Sequence, residues 1–229
     1  MAGGGFARES LGIRQALGDK LGIAQSLDNL ASLVSAKGNY SETRKLLEES
    51  LAIRKDLHDK DGIAHVFYGL GVVARYEGDF DTASSLLRES IELHRQTGGL
   101  FLIHVLGLMG HWAREDGDFD GAKASYGESL SLRVHRGDTL AIAQSFEDYS
   151  GLAALEGHME RAARLLGAAE AVCVDMGRGV PAGHEDEYRR TLEAVRDALG
   201  EDAFATAWMD GRGMTAEQGV EYAMEGATQ

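Results

Sequence analysis

Gly78-Asp79-Phe80 is the stretch that decides the fold of this chain, because the sequence repeats it at a fixed interval. Related tripeptides stand at Gly38-Asn39-Tyr40, Gly117-Asp118-Phe119 and Gly157-His158-Met159. Successive glycines are separated by 40, 39 and 40 residues (78 − 38, 117 − 78 and 157 − 117). A period of this size is typical of stacked helical repeats, in which each unit packs on its neighbours.

Two dipeptides keep the same step along the chain. They are Glu-Ser, which begins at positions 9, 49, 89 and 128, and Ile-Ala, which begins at positions 23, 63 and 142. Between these points the apolar residues fall at helical spacing. Each repeat is therefore predicted to be a pair of amphipathic helices. The turn glycine ends the first helix, and the Asp or Asn after it caps the second.

The predicted helix pairs are followed by a region of different composition. Residues 25–36 pair with 41–57, 104–115 with 121–135, and 143–156 with 160–176, while residues 6–20 match a second helix without its first. The boundaries predicted from this pattern are a flexible N-terminus (1–5), repeats (6–180) made of a half repeat and four helix pairs, and a C-terminal helical cap (181–229) that begins at the single proline, Pro181. The cap is predicted to hold helices at 184–199 and 202–210, a turn at 211–213, and a last helix opened by the capping-box spacing of Thr215 to Gln218.

Small residues mark two positions in every repeat. Seven residues before each turn glycine stand Ala31, Gly71, Gly110 and Ser150, and five residues after it stand Thr43, Ala83, Ala122 and Ala162. Small side chains at these points let paired helices approach closely. This pattern resembles the tetratricopeptide repeat, in a form of about forty residues rather than thirty-four. The resemblance implies an all-α, right-handed helical-repeat solenoid.

The end of the chain carries a second resemblance. The sequences at 164–170 (RLLGAAE), 198–204 (ALGEDAF), 207–212 (AWMDGR) and 222–223 (YA) are similar to the C-terminus of the sensor region of large bacterial signal-transduction ATPases, the STAND class, which includes LuxR-type transcription regulators. The resemblance implies that the repeats sense a partner or inducer and control an upstream nucleotide-binding switch domain. Because no phosphate-binding Gly-Lys-Ser/Thr loop or helix-turn-helix pattern is visible, those activities are not carried over.

Charge and composition exclude several classes of function. The net charge of −14 repels phosphate backbones, which argues against direct nucleic-acid binding. The sequence shows no secretory signal and no apolar run long enough to span a membrane, so a cytoplasmic protein is expected. The single cysteine, Cys173, stands in an apolar run and is predicted to be an inert, buried thiol.

The first helices of a tetratricopeptide-like solenoid line its concave face, so their outward positions are the candidate binding residues. These are Gln25, Asp28, Ser32 and Ser35; His65, Tyr68, Val72 and Arg75; His104, Gly107, His111 and Arg114; and Gln144, Glu147 and Gly151. Arg75 and Arg114 hold equivalent places in neighbouring repeats. They predict a docking surface for a carboxylate, a phosphate or an acidic peptide. The alternative is that these arginines pair with Glu77, Glu115 or Asp116.

Catalysis and cofactor binding are not predicted. His65, His104 and His111 lack a cysteine or carboxylate at a recognised metal-binding spacing. No nucleophile with its base and no phosphate-binding loop stands out, so neither an enzyme nor a cofactor is expected. Trp112 and Trp208 are predicted to be core aromatics.

The leading functional prediction is a non-catalytic protein-interaction or sensor module of a bacterial signalling or transcription-regulatory system. One alternative is a receptor for a small anionic inducer, which would bind between Arg75 and Arg114. Another is a self-associating scaffold, a homodimer formed through the apolar half repeat at residues 6–17.

Overall fold

A computed structural model of the chain describes residues 3–177 and 185–225. These two ranges contain twelve α-helices and no strand. The helices are α1 (Gly3–Leu17), α2 (Lys20–Ser35), α3 (Tyr40–Asp56), α4 (Lys60–Tyr76), α5 (Phe80–Thr97), α6 (Leu102–Glu115), α7 (Phe119–Arg136), α8 (Thr139–Leu155), α9 (Met159–Asp175), α10 (Glu185–Leu199), α11 (Glu201–Arg212) and α12 (Ala216–Met224). The predicted all-α, tetratricopeptide-like repeat fold is confirmed.

The repeated tripeptide forms the turn inside each helix pair. Gly78 has a φ of 84°, in the left-handed region that a glycine adopts without strain. The Asp79 side chain then accepts a hydrogen bond from the Thr82 backbone N–H at 3.1 Å and caps α5. The fourth copy, Gly157-His158-Met159, has no Asp or Asn. Its His158 occupies the capping position and makes no such hydrogen bond.

The first helices begin earlier than predicted. Asp19, Asp59 and Asp138 each cap a first helix, so α2 begins at Lys20 rather than at 25, and α8 at Thr139 rather than at 143. These aspartates recur with the period of the repeat and form a second set of caps. At the N-terminus α1 begins at Gly3, so the helix includes glycines of the segment that was predicted to be flexible.

The chain divides into two compact units, an N-terminal unit (Met1–Val105) and a C-terminal unit (Leu106–Gln229). In the N-terminal unit the core is built by Ala31, Leu47, Val66, Leu70 and Val73. The predicted small positions lie between paired helices. A Cβ added at Gly71 would stand 3.0 Å from Leu87 and 3.2 Å from the Ala83 carbonyl oxygen.

The Glu-Ser and Ile-Ala repeats are the two ends of one contact between paired helices. The Ser90 hydroxyl donates to the Ala64 carbonyl at 2.7 Å, and the Ser50 hydroxyl donates to the Ala24 carbonyl at 3.3 Å. Both serines are completely buried. A hydroxyl in such a place needs an acceptor, so the recurring serine fixes the register between the two helices.

The C-terminal unit ends in the three helices α10, α11 and α12, which pack on the last repeat. The capping box at Thr215 is present. Trp208 packs against a core cluster that includes Phe204, as predicted. Cys173 is buried, also as predicted. Trp112, which was expected in the core, is only half-buried. Pro181, the start of the predicted cap helix at His184 and the predicted 180/181 boundary lie outside the described residues.

The turn predicted at residues 211–213 is wrong in its first two residues. Helix α11 continues through Arg212. Glycine is needed at position 211 for packing on α9 and not for chain reversal, because a Cβ there would overlap the Arg164 backbone.

No helix in the described ranges is both long and apolar enough to cross a membrane.

Candidate functional site

The N-terminal unit brings eight of the predicted binding residues together around two open grooves. The first, called the Asp28 groove, has a volume of about 350 Å³ and is lined by residues that include Asp28, Ser32, Ser35, His65, Tyr68 and Phe101. The second, called the His104 groove, has a volume of about 580 Å³ and includes Gln25, Asp59, Asp61, His94 and His104. His65 and Phe101 line both grooves. The binding role of these residues stays a prediction.

Phe101 is the centre of this site, and the sequence did not point to it. Its ring packs edge-on against His65 at 4.7 Å and against Tyr68 at 4.9 Å between centroids. His104 follows at 5.3 Å. Phe101 lies in the connection between α5 and α6, and the equivalent positions of the other repeats hold Leu21, Asp61 and Leu140, none of them aromatic. The sequence contains one signal for this site, an aromatic residue that directly follows Gly99-Leu100 in the turn between two helices.

Burial sets the protonation of the two aromatic residues beside Phe101. Desolvation lowers the pKa of His65, although nearby Asp28 opposes the shift. Desolvation likewise raises the pKa of Tyr68. At neutral pH both side chains are uncharged, and they offer the grooves flat surfaces with hydrogen-bonding edges.

Asp28 is more buried than its predicted place on the groove surface suggests. Only 8% of the residue is exposed. One carboxylate oxygen pairs with Arg54, whose guanidinium also pairs with Asp59 and donates to the Ser50 hydroxyl at 3.3 Å. The other oxygen, Oδ1, is buried and has no hydrogen-bond partner among the described residues. One guanidinium is thus shared by two carboxylates, which leaves this cluster with a formal charge of minus one.

Arg54 belongs to a periodic set of basic residues that the sequence contained but that was not recognised. Arg14, Arg54, His94 and Arg133 follow one another at intervals of 40, 40 and 39 residues. Each reaches a first helix. Arg14 donates to the Gly22 carbonyl at 2.7 Å, Arg133 to the Ala141 carbonyl at 2.6 Å, and His94 lies 3.2 Å from Asp61.

The two arginines on which the predicted anion site depends, Arg75 and Arg114, contact other residues of the chain. In the N-terminal unit the Arg75 guanidinium lies 4.8 Å from the centroid of the Phe80 ring. In the C-terminal unit Arg114 forms an ion pair with Glu187 of α10, a partner that the sequence did not suggest. An anionic ligand at Arg114 would therefore have to displace a carboxylate of the chain itself.

Helix α10 lies against three candidate residues of the C-terminal unit, Arg114, Glu147 and Gly151. Its Glu187 and Tyr188 lie against Glu147, and the space left there measures only about 10 Å³. His111 is enclosed as well, since its Nε2 lies 3.4 Å from Asp148 and its Nδ1 lies 3.2 Å from the Tyr126 hydroxyl. Gln144 is half-buried on α8. The face predicted to bind a ligand is occupied here by the cap.

Two carboxyl groups under α10 have strongly shifted acidities. Burial, together with the charges of the neighbouring Asp148 and Glu187, raises the pKa of Glu147 to about 8. Burial also raises the pKa of Asp148 to about 7, against the opposing charges of Arg133 and Arg114. Both groups thus hold protons at pH values where an ordinary carboxyl has lost them.

No group of three or more His, Cys, Asp or Glu side chains within residues 3–177 and 185–225 is arranged to hold a metal ion.

The geometry of the helix pairs agrees with a known family over part of the chain. The family model described as Tetratricopeptide repeat matches residues 22–96. These residues are a tetratricopeptide repeat region. Such repeats generally mediate contacts between proteins, and their helical-repeat fold is typically non-catalytic.

Among solved structures, the chain is similar to the crystal structure of BtubC (BKLC) from P. vanneervenii. The TM-score is 0.75 and the sequence identity is 17%, with 97% of this chain and 91% of that chain covered. At this identity the likeness concerns the fold alone. No curated protein matches the chain.

Proposed function

We propose that this chain is a non-catalytic recognition module that binds a segment of a partner protein in the two grooves around Phe101. The observation that carries the proposal is the contrast between the two units. The face formed by first helices is covered by α10 in the C-terminal unit, whereas in the N-terminal unit both grooves are open and lined by aromatic side chains.

The composition of the grooves suits a protein segment. The aromatic rings of Tyr68 and Phe101 supply rigid contact area at low entropic cost, and aromatic residues are enriched among the residues that dominate binding energy. A volume of about 350 Å³ lies within the range of roughly 300–1,000 Å³ that holds a ligand. Buried side chains of the partner would fill this space, and the hydroxyls of Ser32 and Ser35 would bond to its polar groups.

We further propose that this recognition serves a bacterial signalling or transcription-regulatory system, as the resemblance of residues 164–170, 198–204 and 207–212 suggests. A partner bound more tightly in one state of an attached switch domain would shift the equilibrium toward that state. The nucleotide-binding domain that precedes such repeats is the first partner to test.

The experiment is a selection of random peptides on the full chain, followed by measurement of affinity by fluorescence anisotropy. Phe101→Ala should weaken the selected peptides by about tenfold or more, because it removes the central ring of both grooves. Leu155→Ala is the control, since Leu155 is 60% exposed and belongs to the C-terminal unit. Peptides that bind both variants equally well would place the recognition surface elsewhere.

Self-association is a second candidate, favoured by the surface of α1. Phe6, Ile13 and Leu17 lie along one stripe of this helix and are exposed to 71%, 56% and 76%. A stripe of this kind is a potential contact between copies of the chain.

A further inference from the structure

The chemistry of the Asp28 groove narrows the partner to one class, an inference that rests on the proposed function. We infer that this groove binds a cationic side chain, lysine or arginine, of the partner segment. The groove already contains the acceptor, because Asp28 lines it and the buried oxygen Oδ1 of this residue is left without a donor among the described residues.

An unpaired buried acceptor is costly, and a ligand can remove that cost. Folded proteins satisfy nearly all buried polar atoms, and exceptions call for an explanation such as a ligand. Arg54 cannot complete the pairing, because its guanidinium is already divided between Asp28 and Asp59. A second cation that entered the groove would supply both the missing charge and the missing donor.

The remaining charges of the site have the same sign. The charged residues that line the two grooves are Asp28, Asp59, Asp61 and Arg54, a formal net charge of −2 (three carboxylates and one guanidinium). The whole chain carries −14. A cationic segment is therefore attracted both over distance and at the groove, whereas an acidic segment is repelled at both stages.

The walls of the groove suit the rest of a lysine or arginine side chain. Tyr68 and Phe101 line the groove, and aromatic rings stabilise cations. Ala31, Leu47 and Val72 provide apolar surface for an aliphatic stem, which long basic residues bury while the charged end reaches a polar partner. His65 also lines the groove and, because its pKa is lowered by burial, does not repel the incoming charge at pH 7.

The test begins with the peptides selected on the full chain. Enrichment of one lysine or arginine position is expected. Replacement of that residue in the peptide by norleucine should weaken binding by about tenfold or more, because it removes the charge-assisted hydrogen bond to the carboxylate. Selected peptides that depend on Phe101 but show no basic position would contradict the inference while leaving the proposed function intact. Peptides that do not depend on Phe101 would contradict both.

A matched pair of variants at Ser35 isolates the charge. Ser35 is half-buried at the end of α2 and lines the groove. Ser35→Glu should tighten binding of the basic peptide and Ser35→Lys should weaken it, with both affinities converging at high salt. Equal losses in the two variants would show that only shape matters, and the inference would be overturned.

A direct probe does not depend on the selection. N-acetyl-lysine methylamide and its norleucine analogue are titrated into isotope-labelled chain, and backbone amide signals are followed by NMR. The lysine probe should shift the signals of Ser32, Ser35 and Tyr68, and the analogue should shift them much less. Asp28→Asn, checked for an unchanged melting profile, should abolish this difference. Asp81→Asn, at an exposed residue of α5, should leave the difference in place. Equal shifts by the two probes would refute the inference.

Discussion

Gly211 of α11 lies directly against the backbone carbonyl of Arg164 of α9, so closely that a Cβ at position 211 would overlap the carbonyl oxygen. The relation is reciprocal, since a Cβ at Gly167 of α9 would overlap the carbonyl oxygen of Trp208. Both obstacles are backbone atoms, and rotation of a side chain cannot relieve them. The two glycines thus bring α11 onto the last repeat at close range.

Gly211→Ala should destabilise the C-terminal unit by about 1–3 kcal/mol, because α11 must move away from α9 to admit a methyl group. Urea unfolding followed by circular dichroism measures the change. Gly213→Ala is the matched control two residues later, where a Cβ would meet its nearest atom at 3.5 Å, an ordinary contact. Equal midpoints for the two variants would contradict the close crossing of these helices.

Gly71→Leu should cost about 1–3 kcal/mol of the stability of the N-terminal unit, through overpacking between α4 and α5. A Cβ at position 71 already meets Leu87 and the Ala83 carbonyl at the short distances of 3.0 and 3.2 Å. Thermal unfolding tests the prediction. Gly12→Leu on α1, where a Cβ meets nothing within 4 Å, should be nearly neutral. If the two glycines tolerate leucine equally well, the small positions have no packing role.

The stability of the C-terminal unit should fall as pH rises from about 4 to about 8. Unfolded Glu147 and Asp148 lose their protons near 4.5 and 3.8, whereas the folded groups keep them until about 8 and about 7. Across this window the native state binds more protons than the unfolded state, so each rise in pH favours unfolding. Melting temperatures measured over this range should decline.

Glu147→Gln should flatten that decline, because glutamine fills nearly the same space and does not ionise. Glu193→Gln is the control, since Glu193 is an exposed residue of the same cap, on α10. Arg114, Arg133, Asp148 and Glu187 also act on the site and remain in both variants. A pH dependence that is the same in both variants would mean that Glu147 is not the titrating group.

If the stripe on α1 is an interface, the chain should form a dimer that dissociates on dilution. Light scattering coupled to size exclusion measures the mass across a dilution series. Ile13→Ser combined with Leu17→Ser should abolish the dimer, because it removes the exposed apolar surface on which pairing depends. Val134→Ser, at a residue that is 44% exposed in the C-terminal unit, should leave it unchanged. A monomer at every concentration would rule out the scaffold.

Much of the repeat region could be predicted because its signals are local and recur. The glycine turns, the Asx caps and the small positions at 71 and 83 each depend on residues close in sequence. The same signals recur along the chain with a period of about forty residues. The starts of the first helices were missed because the caps at Asp19, Asp59 and Asp138 were not recognised as a second periodic set. The turn predicted at 211–213 is wrong at Gly211 because glycine there serves a contact with α9.

The site was predicted less completely, since its contacts do not repeat. The positions equivalent to Phe101 hold Leu21, Asp61 and Leu140, so the repeat pattern does not predict an aromatic residue there. The sequence pattern puts Asp28 on the groove surface, whereas in the structure it is buried in an ion pair with Arg54, a residue 26 positions away. Arg114 was matched with acidic residues near in sequence, whereas its partner Glu187 is 73 residues away.

The sequence by itself determined that this chain is a stack of helix pairs, because a forty-residue period of turns, caps and small residues leaves each unit one way to bury its apolar faces. Only the tertiary structure decided which part of the repeat face stays open. In the C-terminal unit α10 fills that face and neutralises Arg114, while in the N-terminal unit Phe101 divides it into two acidic, aromatic grooves. Burial and charge pairing depend on residues that are distant in sequence, and folding alone brings them together.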